Sequence, residues 1–176
     1  MGQISKSDLA MTLDTVLVYM SKIEARVQEA MDGEERRLWV SVGAYSIVCY
    51  VGSLRGNEGF LLDLSGLRLY LDEGREPNSK PHVVVPLLGR FKNELGEQYH
   101  LILMAAVTGS GLSPRKWLEW LVQAREEEGF TNGPAFRDSD GKLATSRVYE
   151  DMFIEVLSEI QEERPDLIPV SVEITD

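Results

Sequence analysis

The sequence predicts an α+β fold, mostly α: a helical domain carrying a small antiparallel β-hairpin sheet. Three observations lead there. Apolar residues recur at helical spacing in four long stretches, two short runs of high β-propensity flank a polar loop between residues 82 and 107, and no apolar run reaches the length of a membrane span.

The first stretch, SDLAMTLDTVLVYMSKIEARVQEAM, has Ser7 as N-cap and Leu9, Leu13, Val16, Leu17, Met20, Ile23 and Val27 on one face, which predicts a helix to about Met31. Asp32-Gly33 breaks it. GEERRLWVSVGAYSIVCYVGSL then reads as a more deeply buried helix ending near Gly52. After Gly56 a third helix is expected through Leu62 and as far as Leu71, with Gly66 as an interruption. The polar loop GREPNSKP leads into HVVVPLL, a strand, and GRFKNELGEQ separates that from YHLILMAAV, a second strand. Ser113-Pro114 places an N-cap before a proline at the first helical position and opens SPRKWLEWLVQAREEEGF, with Trp117, Leu118, Leu121 and Val122 on one face. GFTNGPAFRDSDGK is rich in turn residues, Thr145 or Ser146 can cap a last helix to about Glu163, and RPDLIPVSVEITD trails off without a periodic pattern.

At 176 residues, 43% hydrophobic and 27% charged, the chain has the size and composition of one soluble globular domain. The start MGQISKSD has no apolar secretory core, and Lys6 stands where a myristoylation signal needs Ser or Thr. An intracellular protein, cytoplasmic or nuclear and not secreted, is expected. Cys49 is the lone cysteine and reads as a small core residue. The net charge of −11 argues against a free-standing nucleic-acid binder. It is unevenly spread: residues 113–176 hold 15 acids and 7 bases, whereas Pro77 to Asn93 contains no acid and includes Lys80, Arg90 and Lys92.

His82 and His100 are far apart and the familiar zinc spacings are absent, so no metal site and no cofactor is expected. There is no nucleophile elbow, Walker loop or dinucleotide fingerprint; TGSG at 108–111 is a loop before a helix, and the acidic runs at 126–128 and 162–163 read as solvated helix faces. What remains is VGSLRGNEGFLLDL at 51–64, where Arg55 and Glu58 interrupt an apolar stretch and are expected near the interior. Charges there need partners or a purpose.

The order Gly52-Ser53-Leu54-Arg55, then Glu58, then Leu62 resembles the first arginine box of the tyrosine recombinase (phage integrase) family. The likeness extends through a helical region, the hairpin and the GPAF segment at 133–136, over roughly residues 35–169. It implies a division into an N-terminal helix (1–33) and the N-terminal part of a recombinase-like catalytic domain (34–176). It also implies a chemistry for DNA recombination and integration by a mobile element: a tyrosine attacks a phosphodiester to form a 3′-phosphotyrosyl bond, and a guanidinium neutralises the charge gathering on the non-bridging oxygens. By resemblance Arg55 is that donor, Glu58 supports Arg55 or its backbone, and Lys92 is the hairpin lysine that protonates the leaving 5′-oxygen, with Arg90 and Lys80 as neighbouring DNA-binding bases. DNA is the implied partner, bound weakly by the isolated chain and with a homo-oligomer forming on it; neither membrane nor metal is implied. The family's His-x-x-Arg box, its second His or Trp and its tyrosine nucleophile have no counterpart here, and Tyr149 comes too early to be one. The expectation is therefore a fragment or truncated member, catalytically incomplete, that exposes apolar surface on the helices at 34–52 and 145–163. The alternative is a non-enzymatic, acidic α-helical protein-interaction or regulatory domain, with Arg55 and Glu58 a structural ion pair.

Overall fold

The computed structural model describes residues 4, 5, 11–89 and 99–175. The fold is α+β. Its elements are β1 (Ile4–Ser5), α1 (Leu13–Glu29), α2 (Gly33–Val51), α3 (Gly56–Gly59), α4 (Leu64–Tyr70), β2 (His82–Leu88), β3 (Tyr99–Ala105), α5 (Pro114–Glu127), α6 (Ser146–Glu163) and β4 (Ile174–Thr175). They fall into two compact units, Met1–Val42 with Ser146–Asp176, and Gly43–Thr145.

In the first unit α1 packs on α6, burying Val16, Tyr19, Met20, Ile23 and Val27 from one helix and Tyr149, Phe153, Val156, Leu157 and Ile160 from the other. Thr12 caps α1 by accepting from the Thr15 N–H at 3.3 Å, so the described helix begins later than the expected start at Ser7, which lies outside the described residues. Lys22 pairs with Glu159 and Glu163 at 2.9 and 2.6 Å, and Arg26 with Glu159 at 2.5 Å. The segment after Glu163, expected to trail off, is tied down: Gln161 Nε2 donates to the carbonyls of Pro169 and Val172, Ile168 is buried, and β4 pairs in parallel with β1. Short turn-bonded segments carry no periodicity, so this order was not legible in the pattern.

The second unit is built on the hairpin. β2 and β3 pair antiparallel in the register His82↔Ala105 through Leu88↔Tyr99, and α4 and α5 pack on β2. The helix expected from Gly56 to Leu71 is instead two short ones. Leu62 and Asp63 are extended between them, because Leu62 bridges to Leu87 and Asp63 to Pro134, and the Asp63 carboxylate caps α4 by accepting from the Gly66 N–H at 3.0 Å. Gly66 therefore does not interrupt the helix. It lies in the first turn of α4, where a Cβ would press on Pro86 and the Tyr99 ring.

Among the described residues no helix is long and apolar enough to cross a membrane. The apolar surface expected on α6 is not there: no large hydrophobic side chain of that helix is exposed, and α2 shows only Leu38 and Tyr50, both near 40%. The amphipathic face of α6 is consumed by its own unit.

Candidate functional site

The C-terminus of α2 decides where Arg55 goes. The Leu54 N–H donates to the Cys49 carbonyl at 2.9 Å and the Ser53 N–H to the Tyr50 carbonyl at 3.3 Å, the paired bonds of a Schellman cap with Ser53 at the position that turns left-handed. Ser53 has φ 51°, the sole non-glycine positive φ among the described residues. This turn sends the chain out of the helix, and Arg55 emerges exposed. The expectation that Arg55 and Glu58 lie near the interior is thus corrected: Arg55 is exposed and Glu58 half-buried, because the apolar flanks pack while the cap between them projects outward.

Glu58 holds the backbone at this turn. Its carboxylate accepts from the Arg55 N–H at 2.9 Å, and the Glu58 N–H donates to the Arg55 carbonyl at the same distance, which starts α3. A guanidinium has no acceptor, so the reciprocal half of a capping box is missing. Among the described residues no carboxylate pairs with the exposed Arg55 guanidinium. Behind the turn, the Tyr45 hydroxyl donates to the Gly56 carbonyl at 2.8 Å, and a Cβ on Gly59 would stand 2.5 Å from Cys49 Sγ. Glycine is required at that close approach. Ser53, Arg55, Asn57 and Glu58 line an open polar depression of about 500 Å³.

Three sequence landmarks converge behind this depression. Tyr45, Phe60 and Phe136 form an aromatic cluster with centroid separations of 4.4, 5.7 and 6.1 Å, and Phe136 belongs to the GPAF segment. That segment is threaded along the chain after α3: Ala135 N–H donates to the Leu62 carbonyl at 3.0 Å and Leu64 N–H to the Gly133 carbonyl at 2.8 Å. On the other side, Leu88 N–H donates to the Leu61 carbonyl at 2.8 Å, fastening the end of β2 to the same segment. Arg90 and Lys92 come between β2 and β3 in the sequence and lie outside the described residues. Lys80 is exposed just before the opposite end of β2, so the strand's length separates it from the residues that follow Arg55.

Other charged groups, not singled out from sequence, hold the framework. Asp63 is buried and accepts from Ser65 Oγ, from the Gly66 N–H and from the Tyr99 hydroxyl at 2.7 Å; burial and this carboxylate push the Tyr99 phenol above its usual range. Arg115 donates to the carbonyls of Leu71, Glu73 and His82, tying α4 to the start of β2, and desolvation lowers its pKa. Arg125 donates to the Ala135 carbonyl and pairs with Glu128 at 2.8 Å. An i,i+3 spacing on α5 signals that last pair, but nothing local signals Asp63 with Tyr99. Among the described residues no three His, Cys, Asp or Glu side chains gather as a metal site.

Comparison with protein families, with curated proteins and with solved structures finds no match to this chain.

Proposed function

We propose that this chain is the arginine-box portion of a tyrosine recombinase-like domain: a module that contacts DNA through backbone phosphates and belongs to the breaking and rejoining of DNA in recombination and integration. The observation that carries the reading is the Schellman turn at Ser53, which projects Arg55, without a carboxylate partner among the described residues, into a polar depression beside the segment that fastens β2 and GPAF. A fork of guanidinium donors facing solvent suits a phosphate oxygen pair. Glu58, occupied with the Arg55 backbone, sets the arginine's position without neutralising it. By resemblance, Lys92 on the hairpin tip delivers a proton to the leaving oxygen, with Arg90 beside it.

These residues stabilise charge and position a phosphate, but they supply no nucleophile. The isolated chain is therefore expected to bind duplex DNA weakly and to form no covalent adduct with a suicide substrate. Binding is measured by fluorescence anisotropy at low salt for the parent and for a variant with Arg55, Arg90 and Lys92 all changed to alanine. Loss of binding in the variant, with its melting temperature retained, is the expected result. Equal binding by the two proteins would remove the basis of the proposal. The net charge of −11 favours a second reading, a non-enzymatic interaction domain, and equal binding by the two proteins would favour it.

A further inference from the structure

Among the described residues β3 is an edge strand with none of the usual protection. It pairs with β2 on one side, and among the described residues nothing pairs with its other side. The Ala106 N–H donates to the Pro81 carbonyl at 3.1 Å, one step beyond the ladder, so the even-numbered residues of β3 are the ones hydrogen-bonded to β2. Leu101 lies opposite Pro86, which has no N–H to offer, as this phase requires. It follows that the N–H and C=O groups of Leu101, Leu103 and Ala105 point away from the sheet. These same residues are exposed, Leu103 at 66%, and Val107 just beyond is 63% exposed.

Natural edge strands are blunted with lysine, proline, a bulge or a covering element. Gln98 to Pro114 contains no Lys, Arg, Asp or Glu in a chain that is 27% charged, and β3 itself contains no proline. We infer that the outer edge of β3 pairs antiparallel with β3 of a second copy of this chain. The occupant must be an extended strand, since the unpaired groups are backbone donors and acceptors. Charge permits a second copy at this place: two chains of net charge −11 repel over most of their surface, and an uncharged strip is where they can approach closely. The strand is also self-complementary. A two-fold axis at Ile102 sets Leu101 opposite Leu103 of the second copy, with outward backbone groups facing outward backbone groups and both leucines on the same face. A seven-residue strand pair covers less than the roughly 1,200 Å² of a standard interface, so the dimer is weak.

Sedimentation equilibrium without DNA, over about 10 to 500 μM protein and at about 20 and 500 mM NaCl, tests this. The expected result is a monomer–dimer equilibrium strengthened several-fold by salt, weakened at least tenfold by Leu103→Lys and unchanged by Val170→Lys, a control at another exposed apolar position. Should Leu103→Lys fail to fold, Leu103→Thr serves instead and weakens the dimer by a smaller factor. A monomer under every condition, or a dimer that the Leu103 variants leave intact, overturns the inference.

Discussion

Ser53 occupies a left-handed position that costs a residue with a Cβ on the order of 1 kcal/mol and costs glycine little. Ser53→Gly is expected to raise stability by about 0.5 to 1 kcal/mol, read as a higher urea midpoint at unchanged m-value. A lower midpoint would mean that the serine side chain contributes more than its backbone costs. Asp63 presents the opposite case, a short side chain with three donors converging on it. Asp63→Ala removes the cap of α4 and leaves the Tyr99 hydroxyl without its acceptor, with an expected loss of about 2 kcal/mol. Removing the tyrosine hydroxyl as well, in Asp63→Ala with Tyr99→Phe, should then cost less than the sum of the single changes; additive losses would show that the two groups act independently.

At the scale of elements, two contacts are decisive. Helix α2 approaches α5 so closely at Gly43 that a Cβ would overlap the Trp117 ring, itself buried. Gly43→Ala is expected to cost about 1 to 3 kcal/mol through displacement of that ring, visible in tryptophan fluorescence; an unshifted spectrum and midpoint would contradict the packing. The α1–α6 pair is held partly by charge. Hydrogen bonds from Lys22 and then Arg26 hold the Glu159 carboxyl below its usual pKa of 4.5, and the bonds that Lys22 donates to Glu163 and then Glu159 hold the lysine above 10.5. Glu155 also faces Arg26, at 3.8 Å. A depressed carboxyl contributes stability that is complete above its unfolded pKa and lost as pH falls through the lower folded value. A raised lysine contributes stability that is complete below its unfolded pKa and lost as pH rises through the higher folded value. The melting temperature should therefore decline below about pH 4.5, and Glu159→Gln should flatten part of that acid limb. An acid limb unaltered by the substitution would assign it to other carboxylates.

For the whole molecule, charge governs how DNA can be met. On the recombinase-like reading proposed above, Arg55, Arg90 and Lys92 have to act against a repelling net charge of −11, so a low and salt-dependent affinity is expected. If Arg55, Arg90 and Lys92 each neutralise one phosphate, log Kobs falls against log salt with a slope of about −3, and Arg55→Ala reduces that slope by about 1. A slope that Arg55→Ala leaves unchanged would show that Arg55 touches no phosphate, whatever the affinity.

Local patterning alone made most elements readable: the helical spacing of Val16, Met20, Ile23 and Val27, the Ser113-Pro114 start of α5, and the paired apolar runs of the hairpin each state their element within a few residues. The spacing of Arg55 and Glu58 was legible for the same reason, being a matter of sequence order. Burial was not, because an apolar neighbourhood in sequence says nothing about which way a helix cap turns; the bonds from Leu54 to Cys49 and from Ser53 to Tyr50 put Arg55 in solvent. Nor could the sequence show that Leu62 and Asp63 are extended, since their helical propensity yields to partners at Leu87 and Pro134. Asp63 meeting Tyr99, β1 meeting β4 and the open edge of β3 belong to the same class: each depends on residues distant along the chain, and only the folded backbone brings those distances to a few ångströms.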